Sequence, residues 1–361
     1  MVSATIRRRR PFEMLAAFVA LVLTVDLAFA DVRTSATDRF QQSLTTLEST
    51  HGGRLGVAVL DTETGRRFGY RADERFAMTS TFKWVLAAAV LDRVDAGEET
   101  LGRLVSYDDS DILSYAPVAK EHLPEGEMTV AELSDASIRY SDNTAANLLL
   151  ETLGGPAGLT SYMRSQGDAV SRLDRNEPDL NTNLPGDKRD TTTPAAMVGL
   201  METVLVGEAL STGSREQLHD WLIRNTTGDS KLRAGLDPQW TVGDETGSGA
   251  TGASKDVAIV WRPNAGPVLI AVYYSGSERS NEARSAVHAE VGRLVTNIVK
   301  SEKRVIIRHL VEQWAGMGSY SLFRPVACSE SSAPSLSAVS SNSVVLGSSS
   351  SMPSAASGMV V

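Results

Sequence analysis

The chain has 361 residues, with 35 Lys+Arg against 44 Asp+Glu for a formal charge of −9. At 42% hydrophobic and 22% charged residues, with a mean hydropathy of −0.12, it reads as globular and is long enough for one large domain or two modest ones. The acidic balance, without a long basic block, excludes nucleic acid as the main partner, and the single cysteine, Cys328, excludes a disulfide framework, a CxxC redox pair and any multi-cysteine zinc site.

Residues 1–30 read as an export signal. A basic start at residues 7–10 precedes an apolar run over 14–25 and an A-x-A processing site at Ala28-Phe29-Ala30. The apolar run is shorter than the roughly 20 residues of a membrane span, and Asp26 interrupts its end. Arg9-Arg10 with Phe12 is loosely like a twin-arginine signal, with plain Sec export the alternative. No cysteine near Ala30 offers a lipid acceptor. The mature protein is therefore expected outside the cytoplasm, periplasmic or secreted, and without a membrane anchor.

The body, residues 31–300, combines strands at both ends with helices between them. A strand over 55–60 turns at Thr62-Glu63-Thr64-Gly65 into a second over 66–70, forming a hairpin. Helices follow over 82–94, 130–138, 144–153, 157–166 and 194–204, separated by short polar breaks. Strands return over 241–246, 257–261 and 268–274, and a closing helix over 281–300 carries Val287, Val291, Leu294, Val295 and Ile298 on one face. This order predicts an α+β fold: an antiparallel sheet domain built from residues 31–72 and 222–300, flanked by helices, with an inserted all-α domain over 73–221. A cleft between the two is the natural site. Residues 301–361 form an extension. Val305, Ile306, Leu310, Val311 and Trp314 continue helical spacing, and the Ser-rich stretch from Ser329 has too little bulky apolar content to order itself.

Ser80-Thr81-Phe82-Lys83 sets a hydroxyl and an amine at i and i+3 on the first turn of a helix. A serine alcohol needs an adjacent base to become a nucleophile, and a partly buried lysine can hold a neutral amine. This composition yields about one such pattern by chance, and a capping serine is the simpler reading. Ser141-Asp142-Asn143 heads another helix. All three are good caps, yet Ser141 can also relay a proton to a leaving nitrogen, and Asn143 can hold a substrate carbonyl or position a base. The polar stretch over 175–190 reads as an Ω-type loop that an Arg175–Asp190 ion pair would close. Within it, Glu177 and Asn181 can share a water, the carboxylate as base and the amide orienting it, and Pro178 permits a cis peptide.

In these motifs, residues 31–300 resemble a class A serine β-lactamase, a family marked by S-x-x-K, S-D-N and K-T-G. The stretches over 222–228 and 242–244 are similar to those preceding the family's third motif. The resemblance implies a β-lactam hydrolase giving antibiotic resistance, a monomer acting on a small-molecule β-lactam without a cofactor. In this route Ser80 opens the lactam to an acyl-enzyme with Lys83 and Glu177 assisting, the acylation base being either of them. Ser141 passes a proton to the lactam nitrogen, and Glu177 with Asn181 activates the deacylating water. The backbone N–H groups of Ser80 and Ser248 would form the oxyanion hole, worth about 3–4 kcal/mol per donor. Tyr115 corresponds to the aromatic at the cleft entrance, and Asn143, Thr246 and Gly247 fall among the substrate-binding positions. Thr79 and Gly249 exclude the cysteine pair of the carbapenem-hydrolysing branch.

One position departs from the pattern. Glu245-Thr246-Gly247 replaces Lys-Thr-Gly, putting a carboxylate where the family's lysine faces the substrate carboxylate. One charge pair at about 4 Å is worth about 4 kcal/mol at an effective dielectric near 20, so a reversal weakens activity by orders of magnitude. Ser254 stands where many members carry a helping arginine. Lys231 stands where others carry an alternative one and would recover part of the attraction, as would a protonated Glu245. A DD-peptidase or penicillin-binding protein shares two of the motifs, and a silent β-lactam-binding homologue is the reading that Glu245 sustains. His51, His122, His219, His288 and His309 show no metal-ligand spacing.

Overall fold

Apolar residues sort alternately onto two cores along the central strands. In β1 (Arg54–Asp61), Leu55, Val57 and Val59 enter one core while Ala58 and Leu60 enter the other. Strand β9 (Val268–Ser275) does the same, with Ile270, Val272 and Tyr274 opposed to Leu269, Ala271 and Tyr273. Both faces of the sheet are thus covered, which is why these strands read as continuous apolar runs. With β2 (Arg66–Tyr70), β7 (Thr241–Gly249) and β8 (Ala253–Trp261) they form one antiparallel sheet in the order β2-β1-β9-β8-β7, and two short antiparallel pairs, β3 (Phe76–Ala77) with β6 (Thr191–Thr192) and β4 (Leu104–Ser106) with β5 (Glu127–Thr129), stand apart from it. The computed structural model describes residues 36–317, with side chains to residue 301. The expected export signal, the serine-rich stretch and Cys328 lie outside the described residues.

One sheet face packs on a helix over 36–51, here α1, and on residues 287–299 of the last described helix (Asn281–Met317). Helix α1 is absent from the sequence reading although Phe40, Leu44 and Leu47 recur along one of its faces. The expected closing helix runs past Lys300, and residues from Leu310 belong to a separate unit. No helix among the described residues is long and apolar enough to cross a membrane.

The other face meets the helices inserted between the two parts of the sheet. Their centre is α2 (Phe82–Asp95), whose residues 82–91 are all buried. Around it pack α3 (Val130–Arg139), α4 (Asn143–Thr152) and α5 (Gly155–Ser165), while α6 (Pro194–Met201) lies against β1 and β9. The α+β class expected from the sequence is therefore the fold observed. Two local differences have physical causes. Helix α6 gives way at Glu202–Val206 to a π-helical turn, which ends where the Gly207 amide donates to Glu202 O at 2.8 Å. A further helix, α7 (Thr212–Ile223), capped by Ser211, packs through Leu218, Trp221 and Leu222 although the sequence reading has none there.

Candidate active site

Ser80, the candidate nucleophile, takes its position from Thr79. Its backbone is left-handed (φ 46°), rarely tolerated by a β-branched residue, and its hydroxyl donates to Met78 O at 2.7 Å. The 3₁₀ turn Thr79–Thr81 then delivers Ser80 to the start of α2. Gly247 of β7 passes directly over this turn: a Cβ there would fall on Thr79 Oγ1 and within 3.1 Å of the Ser80 amide. Only glycine lets the strand approach that closely.

Lys83, one turn further along, is wholly buried and gathers three candidate residues around its Nζ. It donates to Asn143 Oδ1 and Ser141 O, each at 2.7 Å, and to Ser141 Oγ at 3.1 Å, while Glu177 Oε1 lies 3.4 Å away. Of the two roles open to Asn143, this geometry matches positioning the amine. Ser141 also has a left-handed backbone (φ 55°). Asp142 caps α4 by accepting from the Ala145 amide at 2.9 Å and reaches the amides of Val118 and Ala119, also at 2.9 Å. That ties the Tyr115 segment to the second motif, and Tyr115 itself is 52% exposed at the cleft edge.

Glu177 hangs in the 175–190 loop, which Arg175 closes onto Asp190 at 2.6 Å, and the Glu177–Pro178 peptide is cis. Asn181 Nδ2 donates to Glu177 Oε2. Asn147, which the sequence reading passes over, holds the loop from α4: its Nδ2 donates to Glu177 O at 2.9 Å, and its Oδ1 accepts from the Glu177 amide at 3.0 Å. Its signal is the i, i+4 relation to Asn143 on one helix.

Above these groups opens a cleft of about 460 Å³, lined by Ser80, Tyr115, Ser141, Asn143, Asn181, Lys231, Thr246, Gly247 and Ser248. Thr227, Ser230, Ser254, Asn281 and Ser285 complete it; Thr227 falls in the family-like stretch over 222–228, whereas Ser230 and the helix-borne Asn281 and Ser285 carry no motif that marks them in the sequence. Thr227 and Thr246 share a hydroxyl–hydroxyl hydrogen bond of 2.6 Å across the cleft floor.

Glu245 does not line this cleft. Its side chain is fully buried and neither carboxyl oxygen has a hydrogen-bond partner. Burial drives its pKa well above the usual carboxylate value; nearby Lys83 opposes the shift, and Asp244 and Asp256 reinforce it. Asp244 is held by Arg233 at 2.8 and 3.0 Å and by Asn225 at 2.7 Å. Lys231 is 7% exposed, and its Nζ donates to Lys255 O at 3.0 Å. Desolvation lowers its pKa from 10.5, while Asp256, Asp244 and Glu245 oppose that shift. His288 is buried, and His219 Nε2 lies 2.9 Å from Leu205 O. Among the described residues no group of three His, Cys, Asp or Glu side chains could hold a metal ion.

An antiparallel sheet with a helical insertion, and a cleft where a serine heads the helix that carries a buried lysine, define a serine hydrolase of the acyl-transfer kind. Residues 39–299 match the model of the beta-lactamase enzyme family. Beta-lactamase CTX-M-97 of Escherichia coli is 44% identical over 280 residues, 77% of this chain and 96% of that protein. Beta-lactamase L2 of Stenotrophomonas maltophilia is 47% identical over 301 residues, 81% of this chain and 99% of that one. Among solved structures, the class A beta-lactamase of the last common ancestor of Gram-negative bacteria aligns at 60% identity with a TM-score of 0.71, covering 72% of this chain and 98% of its own. The chain belongs to the class A serine β-lactamases, enzymes that hydrolyse β-lactams and confer resistance to them.

Proposed function

We propose that this enzyme works through an acyl-enzyme on Ser80, and the observation that carries this reading is the buried Lys83 amine, in contact with Ser141, Asn143 and Glu177 at once. Ser80 Oγ attacks the lactam carbonyl and forms the ester. Its proton leaves by way of Lys83 or Glu177 as the carbonyl–nitrogen bond breaks, and Ser141 Oγ delivers a proton to the departing nitrogen. The Ser80 and Ser248 amides take the developing oxyanion. In deacylation Glu177 removes a proton from a water held with Asn181. Glu177 Oε1 and Asn181 Oδ1 are both buried acceptors with no hydrogen-bond donor, and a single water donating to each would satisfy both.

Glu245 lies behind the cleft wall, and burial raises its pKa, which favours its neutral form and weakens its repulsion of the carboxylate carried by most β-lactams. Lys231 is the cation that lines the cleft and supplies the attraction instead. Activity is accordingly reduced, not abolished, relative to a site with lysine at position 245. Export after cleavage near Ala30 delivers the enzyme to the compartment where β-lactams arrive.

The test is turnover of a chromogenic cephalosporin by the full chain beside Ser80→Ala, with intact-protein mass spectrometry of Glu177→Gln after exposure to penicillin. Loss of turnover in the first and a stable adduct on Ser80 in the second are expected. Undiminished turnover by Ser80→Ala, or no adduct on Glu177→Gln, overturns the serine route.

A further inference from the structure

The loop that carries Glu177 covers a second cavity, of about 310 Å³, and no residue lines both this cavity and the catalytic cleft. Four arginines stand on its wall: Arg54 and Arg75 from the body, Arg175 and Arg189 from the loop. The neighbouring carboxylates cannot neutralise them all. Glu74 takes Arg54 at 3.0 Å and shares Arg71 with Glu48, each at 3.0 Å, so this group is balanced and the excess charge is that of Arg75. Asp187, itself on the wall, accepts from Arg189 Nε at 3.1 and 3.2 Å and from its Nη2 at 2.8 Å and lies 3.9 Å from Arg175, and Asp190 takes Arg175, so Arg189 has Nη1 to offer an anion.

Arg75 is left over. Its Nη1 donates to Val170 O and Thr191 Oγ1, each at 3.0 Å, and among the described residues it has no carboxylate partner. A lysine amine stands just behind the wall, although burial and the nearby Arg54 and Lys231 drive its pKa well below the usual lysine value, so the arginines carry the site's charge. Lys255 is fully buried and donates to Tyr274 O at 2.9 Å and to the hydroxyl of Ser275, which lines the cavity; neither acceptor is charged. A partly enclosed space with more guanidinium than carboxylate favours an anion, and the planar arginine fork suits a tetrahedral oxyanion in particular.

We propose that this cavity is a binding site for a phosphate or sulfate group, held by Arg75 and Arg189. The space exceeds what a bare tetrahedral ion fills and falls at the small end of ligand pockets, so the group arrives either as the free ion or as the head of a small phosphomonoester. An anion held between Arg75 and Arg189 bridges the protein body and the loop, which ties down the segment bearing Glu177 and Asn181. The site stands on its own charges and does not depend on the catalytic route through Ser80.

Isothermal titration of the full chain with sodium phosphate and sodium sulfate, at an ionic strength held constant with sodium chloride, tests this. Saturable one-site binding is expected, weakened at least tenfold in Arg75→Gln and in Arg189→Gln. Arg189 is half exposed and its change leaves the interior intact, so the test survives if Arg75→Gln folds poorly. Lys231→Gln, in the other cleft, keeps the affinity unchanged. Glycerol phosphate binding more tightly than inorganic phosphate assigns the site to an organic phosphate, and the reverse order to the free ion. No saturable heat, or binding lost in Lys231→Gln yet retained in both arginine variants, overturns the proposal.

Discussion

Lys83 Nζ lies 3.4 Å from Glu177 Oε1, and neither side chain is exposed to solvent. Two buried charges in contact are worth most to each other when one is removed: the survivor keeps its desolvation cost and loses its compensation. Lys83→Met is therefore expected to cost about 3–5 kcal/mol of stability. Adding Glu177→Gln should recover much of that loss. Urea denaturation of both single variants and the double variant measures the coupling, and strictly additive losses would show that the pair does not act as one unit.

Glu245 makes stability fall with pH. Below about 4.5 its carboxyl is protonated in the folded and unfolded chain alike. Above that, the unfolded chain releases a proton that the buried carboxyl retains, so the fold loses stability until Glu245 itself ionises. The slope for one proton is about 1.4 kcal/mol per pH unit. Glu245→Gln, which is neutral at every pH, should match the parent near pH 4.5 and exceed it increasingly toward neutrality. Parallel stability curves across that range would mean that Glu245 is ionised in the fold.

Substitution at the same position also bears on turnover. Glu245→Lys restores a cation beside the cleft and is expected to raise kcat/KM for cephalosporins and penicillins by at least tenfold. Unchanged or lower activity would show that Lys231 already compensates in full.

Lys231→Gln should raise KM for carboxylate-bearing substrates by tenfold or more, with a smaller effect on kcat, because it removes an interaction made throughout the reaction. Desolvation lowers the Lys231 pKa, so the parent enzyme should lose affinity at alkaline pH sooner than an exposed lysine would allow. A pH profile of KM for the parent and the variant separates the two: the alkaline rise should vanish in Lys231→Gln.

Gly247→Ala should cost at least a hundredfold in kcat/KM, since its Cβ meets the turn that holds Ser80. Thr79→Gly removes both the obstructing hydroxyl and the strain of a left-handed threonine, so the double variant should regain part of the loss. No recovery in steady-state kinetics would place the damage elsewhere along β7.

The residues legible in the sequence were those whose chemistry rests on local spacing. Ser80 and Lys83 share a helical turn, Ser141 and Asn143 flank one cap, and Glu177 and Asn181 share one loop. Long apolar runs announced the double-sided sheet. Buried charge was not legible in the same way: Asp244, Lys255, Asp256 and His288 look like surface residues in a one-dimensional reading, and both faces of β8 are needed to seal them in, Lys255 against Phe76 and Tyr273 on one and Asp256 against the Leu232 amide on the other. The expected strand over 241–246 ends too early for a related reason. Ser248 and Gly249 resemble a turn by composition, yet pairing of Ser248 with Ser254 and of Gly249 with Ala253 keeps them extended. That pairing is what brings the Ser248 side of the cleft to the nucleophile.

Helix α2 is sealed over ten consecutive residues, starting two positions after Ser80. A helix without a solvent-facing side exchanges its amide hydrogens only when the surrounding core opens, so the backbone of Lys83 should be among the last in the chain to take up deuterium. The candidate catalytic amine and the slowest-opening part of the molecule would then coincide. Selection acting on global stability in such an enzyme also acts on the alignment of its reactive groups, and a core substitution as distant as Leu86→Ala would register first as a change in turnover.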